Sequence, residues 1–335
     1  MRRNFFHSAL PHILKILKNG FWAWLYVAKL TIPAMILTRL LLVFDLIPHV
    51  ATFFEPVMAL VGLPAETALI WVGSILGNLY VAISIYISLI PIMEPLSVAQ
   101  ISILAVMCLV GHALIIEGQV CRAAGISAWR VTLYRIVSAI ILGLIIHHGA
   151  CLIGWGAEPA VMLSALELSG DTVPPWLEWA WSSAQQLLGV LVLVEVLMLM
   201  MDLIKYLNLT RLIAKVLGPP LRFAGVGDSA LMVTVIGCVV GLAYGSSLII
   251  AESRSGNISN KDIYNAVMFM AIFHGILEDT VLMWALGADL WCIIGVRLIF
   301  ALGLSAVLTR LAWRPGWRKI LVGDMPSANK LEVNQ

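Results

Sequence analysis

Long apolar segments follow one another from near the start of this chain to near its end, and they leave little room for any fold outside a membrane. Hydrophobic residues make up 61% of the 335 positions, and charged residues only 12%. A soluble domain of this length cannot bury so much apolar surface, whereas a membrane helix needs about 20 consecutive apolar residues. The lipid bilayer is therefore the predicted solvent of an all-α, polytopic membrane protein.

The apolar segments number about ten, five in each half of the chain. The first half has segments at Phe21–Phe44, Val50–Leu63, Ala65–Ile92, Val98–Cys121 and Val131–Trp155, and the second half at Trp181–Tyr206, Leu212–Val226, Ser229–Ala251, Ile263–Leu277 and Leu290–Trp313. The second segment of each half is short for a full span. Whether it crosses the membrane must be decided from the charges of the loops.

An internal repeat relates the two halves. The pairs that recur at a constant offset of 162 positions are Ser97 with Ser259, His112 with His274, Gly125 with Gly287, Trp129 with Trp291 and Arg135 with Arg297. Upstream, four further pairs agree at an offset of 164, namely Pro56 with Pro220, Gly73 with Gly237, Gly77 with Gly241 and Tyr80 with Tyr244. Ordered matches of this kind predict a duplication.

The loop charges predict that the two repeats have opposite orientations. Because Lys and Arg collect in cytoplasmic loops, a count of five crossings per half starts from a cytoplasmic N-terminus rich in Lys and Arg and places the basic loop 122–130 inside. The partner of this loop, around Gly287–Asp289, has no Lys or Arg and falls outside. Equivalent loops on opposite sides indicate an inverted repeat in a bacterial inner membrane, with both termini in the cytoplasm.

The same count divides the chain into five parts. These are an amphipathic N-terminal helix at the membrane surface (1–20), a first membrane repeat (21–155), an external acidic loop (156–175), a second membrane repeat (176–313) and a cytoplasmic tail (314–335). No nucleic acid is expected as a partner, because the basic residues form short clusters between apolar segments and not one patch.

Glycines at four-residue spacing mark the third segment of each half. One interpretation is close helix packing. The other is a helix whose hydrogen bonding is interrupted near the middle of the membrane, where inverted repeats commonly bind a solute. In that case neighbouring residues would bind the solute or freed backbone groups, and the candidates are Asn78, Tyr80, Gly241, Tyr244, Gly245, Ser246 and Ser247.

Ionisable residues end the fourth segments. His112 precedes Glu117, and His274 precedes Glu278 and Asp279, with Glu117 and Asp279 at equivalent positions. On a continuous helix His274 and Glu278 share a face, where they could hold a divalent cation or relay a proton. The alternative is a pair that only caps a helix at the membrane interface.

Two arginines repeat in the fifth segments. Arg135 and Arg297 are long enough to reach the interface or to neutralise Glu117 and Asp279.

Part of the second half resembles a known family. The residues are Gly241-Leu-Ala-Tyr-Gly-Ser-Ser-Leu-Ile-Ile-Ala-Glu252, Ser-Gly-Asn-Ile-Ser-Asn-Lys-Asp262 and His274-Gly-Ile-Leu-Glu-Asp279. They look like the Gate (nucleoside-recognition) family, which includes the membrane part of ferrous-iron transporter B, concentrative nucleoside transporters and spore maturation proteins A and B. The resemblance implies a helical, duplicated membrane core that passes a small solute. The chain lacks the guanine-nucleotide-binding domain of the iron transporters, so nucleotide-gated iron uptake is not expected.

These observations favour a transporter-like permease for a small polar or ionic solute, a divalent metal or a nucleoside-like compound. A non-transporting membrane partner that organises or regulates an envelope process is the alternative. Enzymatic activity is not expected, because phosphate-loop, zinc-protease and nucleophile-elbow motifs do not occur. The sequence leaves the cofactor unknown, with a divalent metal or a coupling ion as the candidate. The expected partners are the lipid bilayer and a small solute or ion, and a homo-oligomer is left open.

Overall fold

Helices account for 80% of the computed structural model, and its described residues contain no β-strand, only an isolated bridge between Ser97 and Pro159. The structure describes residues 2–162, 175–207, 209–241, 258–314 and 316–322, together with residues 245, 248 and 251. The helices are α1 Arg2–Val43, α2 Ile47–Leu60, α3 Thr67–Leu76, α4 Leu79–Leu89, α5 Val98–Gly111, α6 Leu114–Ala123, α7 Ala128–Ile153, α8 Trp176–Tyr206, α9 Leu209–Phe223, α10 Asp228–Val240, α11 Asn260–Met270, α12 Glu278–Ala285, α13 Arg297–Ala312 and α14 Arg318–Leu321. A 3₁₀ turn, Ile90–Ile92, follows α4, and a π-helical turn, Trp291–Val296, leads into α13.

Within the part of the chain that the structure describes, five helical stretches are long and apolar enough to cross a bilayer. They are Pro11–Val43, Val98–Ala123, Ala128–Ile153, Trp176–Met200 and Trp291–Ala312. Four further apolar helices are too short for a full span by themselves, at Ile47–Leu60, Thr67–Leu76, Leu79–Ile92 and Asp228–Val239. An all-helical membrane fold is therefore confirmed, while the arrangement of about ten segments in two repeats stays a prediction.

The stretch Val98–Ala123 lies at the centre of the bundle. Its most apolar part is 72% buried, whereas the corresponding parts of the other four spans are 22–33% buried. Ser97 begins α5 with a capping box, in which its hydroxyl accepts from the Gln100 amide and the Gln100 side chain accepts from the Ser97 amide. The equivalent Ser259 begins α11 by accepting from the Asp262 amide.

The predicted limit at residue 20 lies within a helix, and other predicted parts of the chain lie largely outside the described residues. The helix α1 continues without a break from Arg2 to Val43, so the boundary at residue 20 does not coincide with a helix end and stays a prediction. The helix α1 packs along α8, and near the predicted boundary the Glu195 side chain of α8 packs directly on Gly20. Most of the predicted acidic loop, 163–174, and residues 315 and 323–335 of the predicted tail lie outside the described residues.

Interrupted helices are found in the third and the fourth segments. The predicted interruption of the first Gly-rich segment lies between α3 and α4, at Gly77 and Asn78. The apolar segments Val98–Cys121 and Ile263–Leu277 are interrupted as well, since the chain leaves the helix after α5 and again after α11. Buried guanidinium groups bind the backbone carbonyls that these two breaks set free.

Candidate functional site at the helix breaks

The first break turns the chain between α5 and α6. His112 follows the last residue of α5 and is 7% exposed. The next residue, Ala113, has φ +50°, in the left-handed region that residues with a side chain rarely adopt. Its amide donates to the Ser74 carbonyl of α3 at 2.8 Å and not to a carbonyl of α5. This contact ties the break to α3 and leaves His112 inside the bundle.

The second break, between α11 and α12, has the same form. His274 is 1% exposed and precedes Gly275, which has φ +62° and is the equivalent of Ala113. The amide of Ile276 donates to the Cys238 carbonyl of α10 at 2.9 Å. A side chain on Gly275 would collide with the Asp279 carboxylate, which packs against its Cα. Glycine is therefore favoured here by the backbone conformation, and any side chain would have to displace the carboxylate.

The two histidines meet inside the bundle. Their Nε2 atoms lie 3.3 Å apart, and their ring centroids 5.0 Å apart. His274 Nδ1 lies 2.6 Å from the Met270 carbonyl oxygen, and His112 Nδ1 lies 3.1 Å from that of Leu109 and 3.2 Å from that of Cys108. A carbonyl oxygen only accepts, so these contacts assign the proton of each neutral ring to Nδ1. The two Nε2 lone pairs consequently point into the same space.

Two carboxylates face this space as well. Glu117 Oε1 lies 3.3 Å from His274 Nε2 and 3.7 Å from His112 Nε2. Asp279 Oδ2 lies 3.9 Å from His112 Nε2, and ligand atoms of Asp279 and both histidines all lie within 4.8 Å of one another. With the carboxylates ionised, four groups that can share a lone pair converge here. A cation is the species that such a set binds.

Arg135, on α7, supports the first break from behind. Its Nε donates to the Val110 carbonyl at 2.7 Å and its Nη2 to the His112 carbonyl at 3.0 Å, while Nη1 pairs with Glu117 Oε2. These are carbonyls that the end of α5 leaves without helical partners. Arg135 is 1% exposed, so its side chain does not reach the membrane interface. It neutralises Glu117 instead, which is the second of the two predicted roles.

Arg297, at the start of α13, makes the equivalent contacts at the second break. Its Nε donates to the Ile272 carbonyl at 2.8 Å and its Nη2 to the His274 carbonyl at 3.0 Å. The remaining contact differs, because Nη2 also lies 3.4 Å from the Leu109 carbonyl of the other half. Among the described residues, none donates a hydrogen bond to the Asp279 carboxylate. The Glu117 carboxylate is therefore paired with a guanidinium, whereas the Asp279 carboxylate faces the histidines.

Tyr80 and Asn78 have different roles at the break between α3 and α4. The Tyr80 hydroxyl donates to Glu278 Oε1 at 2.9 Å, which links the two halves. Asn78 Oδ1 accepts from the Val81 amide at 3.0 Å and so caps α4, which is the predicted role of binding a freed backbone group. The expectation that His274 and Glu278 share a helix face is wrong, because His274 precedes the start of α12 and Glu278 turns to Tyr80.

The second Gly-rich segment is described only in part. Gly245 lies so close to Gly237 that a side chain on it would collide with the Gly237 backbone, which agrees with the packing interpretation of these glycines. Gly241 ends α10 with φ +119° and has open space beside it. The other three candidates of this segment lie outside the described residues, namely Tyr244, Ser246 and Ser247.

The composition of the cluster differs from the pairs that the sequence favours. Sequence reasoning joined His112 with Glu117 and His274 with Glu278, each within one half. The structure brings both histidines together with Glu117 and Asp279. The signal that could have found this set is the common offset of 162 positions, because equivalent residues near an axis relating two repeats must lie close to each other.

One comparison identifies a relative. The chain is 30% identical to YvoD of Bacillus subtilis (strain 168), an uncharacterized membrane protein, over 311 residues that cover 90% of this chain and 94% of the relative. No family model and no solved structure matches the chain. The similarity to YvoD therefore includes both halves of the chain.

Proposed function

This chain belongs to the family of membrane proteins that includes Bacillus subtilis YvoD, and we propose that it is a permease for a small polar or ionic solute. A divalent metal and a nucleoside-like compound are the two solute classes considered. The solute would bind at the cluster formed by His112, Glu117, His274 and Asp279. The proposed location is the bacterial inner membrane, with both termini in the cytoplasm.

The observation that carries this proposal is the burial of ionisable groups at broken helices. Glu117 and both histidines are at most 7% exposed, and Arg135 and Arg297 at most 1%. Charged side chains inside a membrane are costly and usually belong to a pathway for ions, protons or substrates. Non-helical backbone at membrane depth is likewise tolerated where it is enclosed by protein, and transporters use such breaks for binding.

Paired contacts support the proposal that the cluster lies between two inverted repeats. Arg135 binds the carbonyls of residues 110 and 112, and Arg297 binds those of residues 272 and 274. The same offset of 162 separates the members of each pair. Alternating access would then be a rocking of one repeat against the other around the cluster. The resemblance to the Gate family agrees with this arrangement.

No chemical step is part of the proposal. Both histidines bind carbonyl oxygens through Nδ1, and Glu117 is paired with Arg135, so these groups are arranged for binding an ion or a polar solute. The protein is therefore proposed not to be an enzyme. The alternative of a non-transporting envelope partner predicts that replacing the cluster leaves the cellular role unchanged.

Flux into liposomes tests the proposal. Purified full-length protein is reconstituted, and uptake of divalent metals and nucleosides is measured under a proton gradient and under a sodium gradient. We expect uptake of at least one solute, which is lost in His112→Ala/His274→Ala. His148→Ala is the matched control, because His148 is an exposed histidine of α7 outside the cluster. Absence of uptake for the whole panel would refute the permease proposal.

A further inference from the structure

We infer that His112, His274, Glu117 and Asp279 form a binding site for one divalent transition-metal ion, with one histidine and one carboxylate from each half of the chain. The claim that the permease transports this ion rests on the function proposed above. Binding of the ion at the site does not depend on transport. A single site between the halves thus takes the place of the two separate His–acid pairs that the sequence suggests.

The spacing of the ligand atoms fits such an ion. Nitrogen and oxygen ligands lie about 2.0–2.1 Å from Zn²⁺, so two tetrahedral ligands lie about 3.3 Å from each other. The distance between the two Nε2 atoms is 3.3 Å, and that between His274 Nε2 and Glu117 Oε1 is also 3.3 Å. Asp279 Oδ2 lies 3.9 Å from His112 Nε2, so this carboxylate must move towards the other three ligands to complete the set.

The protonation of the histidines fits as well. A ligating imidazole offers a lone pair on one nitrogen and usually donates its other N–H to a carbonyl or a carboxylate, which holds the ring in place. Both rings meet this description, since each Nδ1 lies against carbonyl oxygens of the preceding helical turn. Without a cation, the two Nε2 lone pairs and Glu117 Oε1 would face each other with no proton between them.

The charges around the site favour a cation. Three carboxylates, Glu117, Glu278 and Asp279, lie beside two guanidinium groups, those of Arg135 and Arg297. With all five of these described groups ionised, the sum is one negative charge in a space that the bundle shields from water. A cation that binds there is attracted by this charge and restores the pairing that the Asp279 carboxylate lacks among the described residues.

The donor types restrict the class of metal. Imidazole nitrogen suits Zn²⁺, Fe²⁺ and related transition metals, and carboxylates bind these ions too. Mg²⁺ prefers six oxygen ligands in an octahedron and retains its water, and Ca²⁺ takes six to eight oxygens. A site with two imidazoles and two carboxylates therefore selects a transition-metal ion over Mg²⁺ or Ca²⁺.

Binding is measured on the purified full-length protein in detergent. Calorimetry and elemental analysis with Zn²⁺, Mn²⁺ and Co²⁺, and with Mg²⁺ as the comparison ion, should give one transition-metal ion per chain and no Mg²⁺. The visible spectrum of added Co²⁺ should be that of a tetrahedral site with nitrogen ligands. His112→Ala/His274→Ala should abolish binding, and Asp279→Asn, which keeps the side-chain volume, should weaken it at least about tenfold. His148→Ala should bind as the wild type does.

The outcomes separate this inference from the proposed function. Stoichiometric binding that the cluster variants lose, together with uptake of the same ion into liposomes, supports both. Stoichiometric binding without uptake supports the site and overturns transport. Uptake of an organic solute by protein that binds none of the three transition metals overturns the site and leaves the permease proposal intact. Binding that persists in both Asp279→Asn and the double histidine variant also overturns the site.

Discussion

The Nε2 atoms of His112 and His274 lie 3.3 Å apart, although 162 positions separate the two residues in the chain. Each histidine follows a helix that ends inside the bundle, and a buried arginine binds the carbonyl of each. The contact therefore depends on the packing of one half of the protein against the other. Substitutions of the residues that support the two breaks should therefore lower the stability of the fold, change the geometry of the cluster, or both. Unfolding measurements report the first effect, and ion binding reports the second.

Replacing Arg135 tests its role behind the first break. Arg135→Ala removes the partner of the buried Glu117 and leaves the Val110 and His112 carbonyls without their donors. Loss of one partner of a buried ion pair costs about 3–5 kcal/mol. We expect a decrease of this size in the free energy of unfolding in detergent, measured by denaturant titration. Arg122→Ala, at an exposed position of α6, is the control and should change stability by less than about 0.5 kcal/mol.

Gly275 and Ala113 give a matched pair of backbone variants, since both have positive φ at equivalent positions. Gly275→Ala introduces a methyl group against the Asp279 carboxylate and should displace it. We expect a loss of stability and weaker ion binding, measured by thermal unfolding and calorimetry on the same preparation. Ala113→Gly should be nearly neutral, because relief of about 1–2 kcal/mol of left-handed strain offsets the flexibility that glycine adds to the unfolded chain. Equal effects of the two substitutions would contradict this explanation.

Tyr80→Phe tests the link between the first half and Glu278. The substitution removes the hydroxyl that donates to Glu278 Oε1 at 2.9 Å and keeps the ring. Hydrogen bonds to charged groups contribute about 1.5–3 kcal/mol, so we expect a decrease in unfolding free energy within that range. Tyr86→Phe, on the same helix, is the control, because no hydrogen bond of the Tyr86 hydroxyl is present among the described residues. A decrease no larger than that of Tyr86→Phe would mean that the Tyr80–Glu278 contact is not stabilising.

Accessibility of single cysteines tests the inverted orientation of the repeats. Arg122 and Trp284 are equivalent positions, 162 apart, and both are exposed. In a Cys151→Ser background, Arg122→Cys and Trp284→Cys should react with a membrane-impermeant thiol reagent from opposite sides of the membrane. The other native cysteines are buried and should contribute little background. Reaction of both positions from one side would exclude the inverted arrangement.

Sequence alone determined the solvent and the helical class, and it singled out the residues that form the candidate cluster. Apolar segments of about 20 residues require a bilayer and, inside it, helices, because backbone groups in lipid must be paired within the segment. The repeated offset identified His112, His274, Arg135 and Arg297 as equivalent pairs. A break near Gly77 and Asn78 was one of the two interpretations that the glycine spacing left open.

Tertiary structure alone decided where α5 and α11 end and which side chains meet. No local pattern in Val98–Cys121 indicates a break, because the groups that stabilise it come from elsewhere: the Ser74 carbonyl accepts from the Ala113 amide, and Arg135 binds the freed carbonyls. Helical spacing joins His274 to Glu278, but the break turns the backbone between them and places His274 against His112. The partners of a buried polar group are set by packing between distant segments, and a periodic pattern within one segment cannot contain that information.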